Sequence, residues 1–218
     1  MERKSNAPFS ISAKYRHISK DLNERPMLTW WRRSISLRAW PAVSCGLLVF
    51  GCAPSSEPPW PRTKTQIEAP DFSLPRLDGT MIHFADYHGK VVAVEFWATW
   101  CGPCRQSMPS LEQMYREYRD RGVTVLLVNC GEEAQAVQRW AGSRYTAPIL
   151  LDREMQVSKL YGVHGIPQLF VIDRTGHIAY THGGYAGGLE KNLKNAFDEL
   201  LSEVVSPAKT TDGGGNNG

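Results

Sequence analysis

The sequence predicts an α/β protein with a mixed central sheet flanked by helices and a small hairpin at its amino-terminal side. Three observations carry that prediction. Val91 to Trp97 and Val123 to Asn129 are near-continuous apolar runs, β-branched or aromatic, as buried central strands require. Between them, from Pro103 to Arg121, Met108, Leu111, Met114, Tyr115 and Tyr118 recur at spacings of three and four with charges in between, the pattern of an amphipathic helix. Beyond residue 130, short apolar runs alternate with short helical patterns and end in a strand pair and a closing helix.

In chain order, Ala69 to Leu74 and Met81 to Phe84 read as two short strands about an Asp78-Gly79 turn. The first central strand and the long helix follow, and Gly122 is the stop signal after the helix. After the second central strand come a helix over Glu133 to Ala141, a short strand over Pro148 to Leu151 and a helix over Glu154 to Tyr161. Gln168 to Asp173 and His177 to His182 form two strands around Asp173-Arg174-Thr175-Gly176. Leu189 to Val204 closes the chain as an amphipathic helix with Leu193, Phe197, Leu200 and Leu201 on one face.

The 218 residues suit one domain of ordinary size with extensions. Hydrophobic residues make up 42% and the mean hydropathy is −0.36, which excludes both a disordered chain and a polytopic membrane protein. The formal charge of +3 is unevenly shared. Residues 1–40 carry nine Lys and Arg against three Asp and Glu, so the remainder is net acidic, and no charge argument favours nucleic-acid binding.

Residues 1–65 read as a leader, a signal and lipobox segment and a Pro-rich tether. Arg32, Arg33 and Arg38 precede a short apolar stretch from Ala39 to Phe50, as in an export signal whose start is Met27. The stretch ends in Leu48-Val49-Phe50-Gly51-Cys52, which resembles a bacterial lipobox and makes Cys52 the expected lipidation site; Cys45 is a weaker candidate. An uncleaved anchor or a cleaved soluble export signal are the other readings, and all three put the body outside the cytoplasm. Residues 66–205 form the expected folded domain, and 206–218 a Gly/Asn-rich disordered tail. On this reading, removal of residues 1–65 leaves the fold intact.

Five cysteines, at 45, 52, 101, 104 and 130, are too few and too unevenly spaced for a disulfide scaffold. Only Cys101 and Cys104 form a close pair, in Trp100-Cys101-Gly102-Pro103-Cys104, between the first central strand and the long helix. A helix amino terminus stabilises a thiolate at Cys101 through unpaired N–H groups and the helix dipole. Two intervening residues let the first helical turn bring both sulfurs within bonding distance, with Cys104 shielded one turn in. Pro103 fits the first turn, where its missing N–H costs nothing.

The run from Val94 to Arg105 resembles the thioredoxin superfamily, and Ala69 through Val92 resembles its TlpA/ResA branch of exported, membrane-tethered thiol–disulfide oxidoreductases. Tyr161 to Asp173, with Gly165-Ile166-Pro167, is similar to the family's cis-proline segment. The resemblance covers about residues 67–203. It implies a thioredoxin-like fold with one inserted αβ unit, a Cys101 nucleophile, a resolving Cys104 and a cis peptide before Pro167. The redox group is then the Cys101–Cys104 disulfide itself, with no separate cofactor and no metal. Trp100, Gly102, Pro103, Ile166 and Pro167 are the expected substrate-binding residues, Ile166 touching the nucleophile and the proline loop pairing with an extended substrate. Implied partners are disulfide-containing exported proteins, a membrane electron donor that re-reduces the pair, and the membrane that holds the anchor.

Glu95 is the charge to explain, in the middle of Val91 to Trp97 and six residues before Cys101, where thioredoxins carry an acidic residue. Desolvation raises such a carboxyl's pKa and suits it to accept the Cys104 proton; alternatively it reaches solvent at a sheet edge. Cys130 reads as an inert apolar thiol, Trp97 as site wall or core, and His164 as a solvated loop residue. Gly-Pro between the cysteines is the dipeptide of reducing thioredoxins and favours reduction. Haem-maturation members carry an acidic residue where Gln168 stands here. A peroxiredoxin-like peroxidase is an alternative, though Ala98 occupies the place of its Thr or Ser. A copper-handling assembly factor is another, though such proteins usually have three residues between their cysteines. For a zinc site, Cys130, His164, His177 and His182 offer no second paired motif.

Overall fold

The computed structural model describes residues 60–63, 67–185 and 187–203. The lipobox with Cys52, Met27 and the tail over 206–218 lie outside the described residues. Strands β1 (Ser73–Pro75) and β2 (Met81–His83) form the expected antiparallel hairpin, with Gly79 in its turn at φ 85°. A 3-10 turn, Phe84–Tyr87, leads to β3 (Val91–Trp97), then helix α1 (Gly102–Tyr118) and strand β4 (Val123–Cys130). Helix α2 (Ala134–Ala141), strand β5 (Ile149–Asp152) and helix α3 (Gln156–Leu160) follow. Strands β6 (Gln168–Ile172) and β7 (Ile178–Gly183) and helix α4 (Leu189–Ser202) complete the body.

The long helix is shorter than its apolar pattern suggests. It ends at Tyr118, a 3-10 turn spans Arg119–Arg121, and Gly122 terminates the run in the left-handed region at φ 90°. That conformation is cheap only for glycine, so the sequence signal is placed correctly although the last turn tightens. Pro109 lies inside α1, where it removes one helical N–H donor.

The main sheet has the order β5-β4-β3-β6-β7. The β3–β4 and β4–β5 pairs are parallel, whereas β6 is antiparallel to both β3 and β7. This mixed sheet with helices on its faces is a thioredoxin-like fold, and β5 with its flanking helices is the additional unit that extends one edge.

Central placement makes β3 buried along its whole length, and its alternating side chains feed two cores. Val91, Ala93 and Trp97 pack with Met108, Leu111 and Phe197 from α1 and α4. Val92, Val94 and Phe96 pack on the other side with Phe72, Phe84 and Tyr161, beneath the hairpin and α3. Each Val, Leu, Met or Phe among them stabilises the fold by roughly 1.5–3 kcal/mol on burial.

The tether expected over residues 1–65 is not wholly a tether. Trp60 stacks on His182 with ring centroids 4.6 Å apart, and the Thr63 N–H donates to the Ala179 carbonyl at 2.7 Å. Arg62 pairs with Glu199 and Glu203 on α4. Further along, Ile67 accepts from the Ile178 N–H and Glu68 bridges to His177, so this segment follows the outer edge of β7. An exposed β edge invites pairing, and an apolar ring beside it gains by covering it. Truncation at residue 65 therefore removes packed contacts, although every named strand and helix lies after it.

In the full chain, Trp60→Ala should lower the unfolding free energy by about 1–2 kcal/mol, less than a core tryptophan because Trp60 is only half-buried. Arg62→Ala should cost at most about 1 kcal/mol, since its ion pairs are exposed. Urea denaturation of both variants tests this; a Trp60→Ala midpoint equal to wild type would return these residues to the tether.

Candidate active site

Because β3, β4 and β5 run parallel and β6 runs opposite to β3, four chain segments emerge at one end of the sheet. These are Cys101 after β3, Gly131-Glu132 after β4, the residues following Asp152 after β5, and Ile166-Pro167 before β6. Segments distant in sequence converge there for topological reasons alone.

Cys101 is the N-cap of α1, with extended backbone at φ −78° and ψ 106°, and Gly102 and Pro103 open the helix. Its Sγ accepts the Cys104 N–H at 3.2 Å, so a helix-terminal donor is already aimed at this sulfur. Cys101 and Cys104 are joined as a disulfide with Cα atoms 5.3 Å apart. Cys101 retains 5% exposure whereas Cys104 has none. An incoming reagent thus meets Cys101 first. The backbone amide and helix dipole both favour negative charge on Cys101 after reduction.

Trp100 is 70% exposed beside Cys101, Gly102 is half-buried and Pro103 exposed. The Ile166-Pro167 peptide is cis. Ile166 packs against the cluster containing both cysteines, and Pro167 is buried. The Pro167 carbonyl accepts the Gly184 N–H at 2.9 Å. Trp97 belongs to the core and is fully buried, its ring 5.5 Å from that of Trp140. His164 is exposed. Cys130 is buried, and its thiol is pushed up to about 12 by burial, with the Asp152 carboxylate adding to the effect. Among the described residues, no group of three His, Cys, Asp or Glu side chains is arranged to hold a metal ion.

Glu95 does not reach solvent at a sheet edge. Its backbone register partners are Leu127 on β4 and Leu169 on β6, and only 2% of its surface is exposed. Strand alternation puts it on the α1 face, with Ala93 and Trp97. Burial raises its pKa to about 8, against the opposing pull of a hydrogen bond from Ser107 Oγ to Glu95 Oε1 at 2.8 Å. The same hydroxyl lies 2.9 Å from the Cys104 carbonyl oxygen. Ser107 was not legible as a site residue, although its place three residues after Cys104 puts both on one helix face.

Glu132 is a second residue that motif reading misses. Its carboxylate accepts from the Thr99 N–H at 2.7 Å, the Thr99 hydroxyl at 2.6 Å and Asn129 Nδ2 at 2.7 Å. It therefore ties the turn that presents Trp100 and Cys101 to the end of β4. Only its acidic character after Gly131 hints at this role.

The AhpC/TSA family profile matches residues 66–181. The thiol-disulfide oxidoreductase ResA of Geobacillus thermodenitrificans is 43% identical over 112 residues, which span 50% of this chain and 64% of that protein. The match therefore covers just under two thirds of this relative. A solved Chlorobium tepidum structure, assigned as the thiol:disulfide interchange protein DsbE, is 36% identical with a TM-score of 0.57, covering 62% of this chain and 95% of the other. The exposed lipoprotein thioredoxin Etrx1 of Streptococcus pneumoniae is 32% identical with a TM-score of 0.54, covering 60% and 100%.

Glu95 makes stability depend on pH in a defined sense. Its carboxyl binds a proton more tightly folded than unfolded, so its contribution is complete below about pH 4.5 and is lost as pH rises through about 8. In the disulfide form, Glu95→Gln should unfold at the same denaturant concentration as wild type in acid. It should be more stable by several kcal/mol above pH 8. Parallel denaturation curves from pH 5 to 9 check this, and a constant offset across that range would contradict the buried carboxyl.

Proposed function

The chain belongs to the AhpC/TSA family, and on that premise we propose that it is a thiol–disulfide oxidoreductase that reduces disulfides of exported proteins through Cys101 and Cys104. The observation that carries this reading is the asymmetric pair at the start of α1: one sulfur at the surface with a backbone donor, the other enclosed.

In the reduced protein, the Cys101 thiolate attacks one sulfur of the substrate disulfide. The substrate S–S bond breaks, a Cys101–substrate mixed disulfide forms, and the displaced substrate thiolate takes a proton. Cys104 gives its proton to the Glu95 carboxylate and attacks Cys101 Sγ. The mixed disulfide breaks, the Cys101–Cys104 bond forms, and the second substrate thiolate leaves to be protonated. Two electrons pass from the protein pair to the substrate, while one proton comes from Cys104 by way of Glu95 and the other from solvent, replacing the one Cys101 lost on ionising. A membrane electron donor with a dithiol of its own returns the electrons, so the disulfide is the only redox group the cycle requires. The Glu95 carboxyl is suited to this proton because a site poised near neutral pH can both accept and return it. Trp100 and Ile166 supply apolar contact for an unfolded substrate segment beside the sulfur.

The proposed setting is the extracytoplasmic face of a membrane, with Cys52 as the lipidated residue. The leader sequence supports this, and the pneumococcal relative is itself named as an exposed lipoprotein. Among the described residues, no helix is long and apolar enough to cross a membrane.

Trapping tests the function. Cys104→Ser should accumulate mixed disulfides on Cys101 in the producing cell, and mass spectrometry of the adducts identifies exported substrates. The wild-type dithiol should reduce insulin, with Glu95→Gln slower by roughly 10- to 100-fold at neutral pH. Absence of adducts on Cys104→Ser together with absence of insulin reduction by wild type would sink the oxidoreductase reading.

A further inference from the structure

Ser107 is buried, and its hydroxyl sits between two oxygen acceptors, Glu95 Oε1 at 2.8 Å and the Cys104 carbonyl at 2.9 Å. A serine hydroxyl has one proton to donate and two lone pairs that accept. It can therefore serve both neighbours in only one arrangement. When Glu95 is a neutral carboxyl, the carboxyl proton donates to Ser107 Oγ, and the Ser107 proton is free to donate to Cys104. Once Glu95 ionises, the charge-assisted bond to the carboxylate captures that single proton. The Cys104 carbonyl then loses its second donor.

We propose that Ser107 is a positioning residue that couples the protonation of Glu95 to the helical turn bearing Cys104. This deepens the dithiol mechanism proposed above and rests on it for its catalytic consequence. Proton arrival at Glu95 draws Ser107 back to the Cys104 carbonyl, and proton loss releases it. The state of the base is thereby sensed at the residue whose proton the base receives.

Among the described residues, Ser107 is the hydrogen-bond donor to the Glu95 carboxyl. Its neighbours across the sheet are Leu127 and Leu169. The buried residues of α4 are Leu189, Asn192, Leu193, Ala196, Phe197 and Leu200, and those of α2 are Val137 and Ala141, none ionisable. From the α1 side come Ser107 and, as titratable groups in the dithiol, Cys104 and Cys101. In the disulfide both cysteines are silent, so the coupling can be measured there without interference.

The experiment is an infrared titration of the disulfide form, following the carbonyl band of the protonated Glu95 carboxyl, identified by its absence in Glu95→Gln. Ser107→Ala should raise the midpoint by about one pH unit, because a donor to the charged form is lost. Ser107→Thr, which keeps the hydroxyl, should return it to the wild-type position. Alanine is the better helix former, so α1 itself is not put at risk. The dithiol of Ser107→Ala should also reduce insulin about tenfold more slowly at pH 7 and approach wild type at high pH, a profile shift that a packing defect would not produce. A midpoint unmoved in Ser107→Ala, or a Ser107→Thr midpoint that stays with alanine, overturns the proposal. A wild-type protein that shows the shift between variants but never reduces insulin leaves the coupling intact and refutes the oxidoreductase reading instead.

Discussion

A strand covered on both faces excludes water, and β3 is covered along all seven of its residues. The site depends on that single constraint. With helices α1 and α4 on one side and the hairpin and α3 on the other, the strand cannot slip in register without driving Glu95 into the opposite core. Its exit is therefore firmly placed, and Cys101 becomes the N-cap of α1 at a defined point on the protein's end. Antiparallel pairing of β6 with β3 then brings Pro167 to that same end, since Gln168 lies opposite Phe96. The reactive pair is held by the core rather than by a loop of its own.

The same exclusion of water sorts the carboxyls of this region by how many donors each receives. Glu95 has the Ser107 hydroxyl as donor, and burial wins, so its pKa is raised to about 8. Glu112 is also pushed up by burial. The Thr146 and Ala147 N–H groups, the Thr146 hydroxyl and Arg116 more than offset this and hold it below the usual carboxylate range. It clamps the segment before β5 to α1 as a permanent anion. Glu132, with donors from Thr99 and Asn129, joins the active-site turn to β4. Identical chemistry thus yields one carboxyl with a raised pKa and two structural ties, and the number of donors makes the difference.

Legibility in the sequence followed the range of the interaction concerned. The strands around 91–97 and 123–130, the helix after Cys104 and the turn glycines could be read because each is decided by residues within a turn or a strand's length. The paired cysteines were legible for the same reason, their spacing being a property of four consecutive residues. Burial of Glu95 was also within reach, because an unbroken apolar run on both sides of it implies a covered strand. Trp60 was not: composition around it is that of a linker, and only the edge of β7, more than a hundred residues away, gives its ring something to cover.

Ser107 and Glu132 mark the same boundary at the site. A serine in an amphipathic helix and an acidic residue after a glycine carry no local sign of their partners. Ser107 meets Glu95 across twelve residues, and Glu132 meets Thr99 across thirty-three, only once the sheet has aligned the strands that carry them. By itself the sequence determined the order and type of the elements, the reactive pair and the buried acid beneath it, because periodicity, covalent spacing and turn chemistry act locally. Only the tertiary structure decided which hydroxyl faces that acid and which carboxylate ties down the turn before Cys101. Hydrogen-bond partners for buried polar groups are chosen by packing, after desolvation has made leaving them unpaired costly.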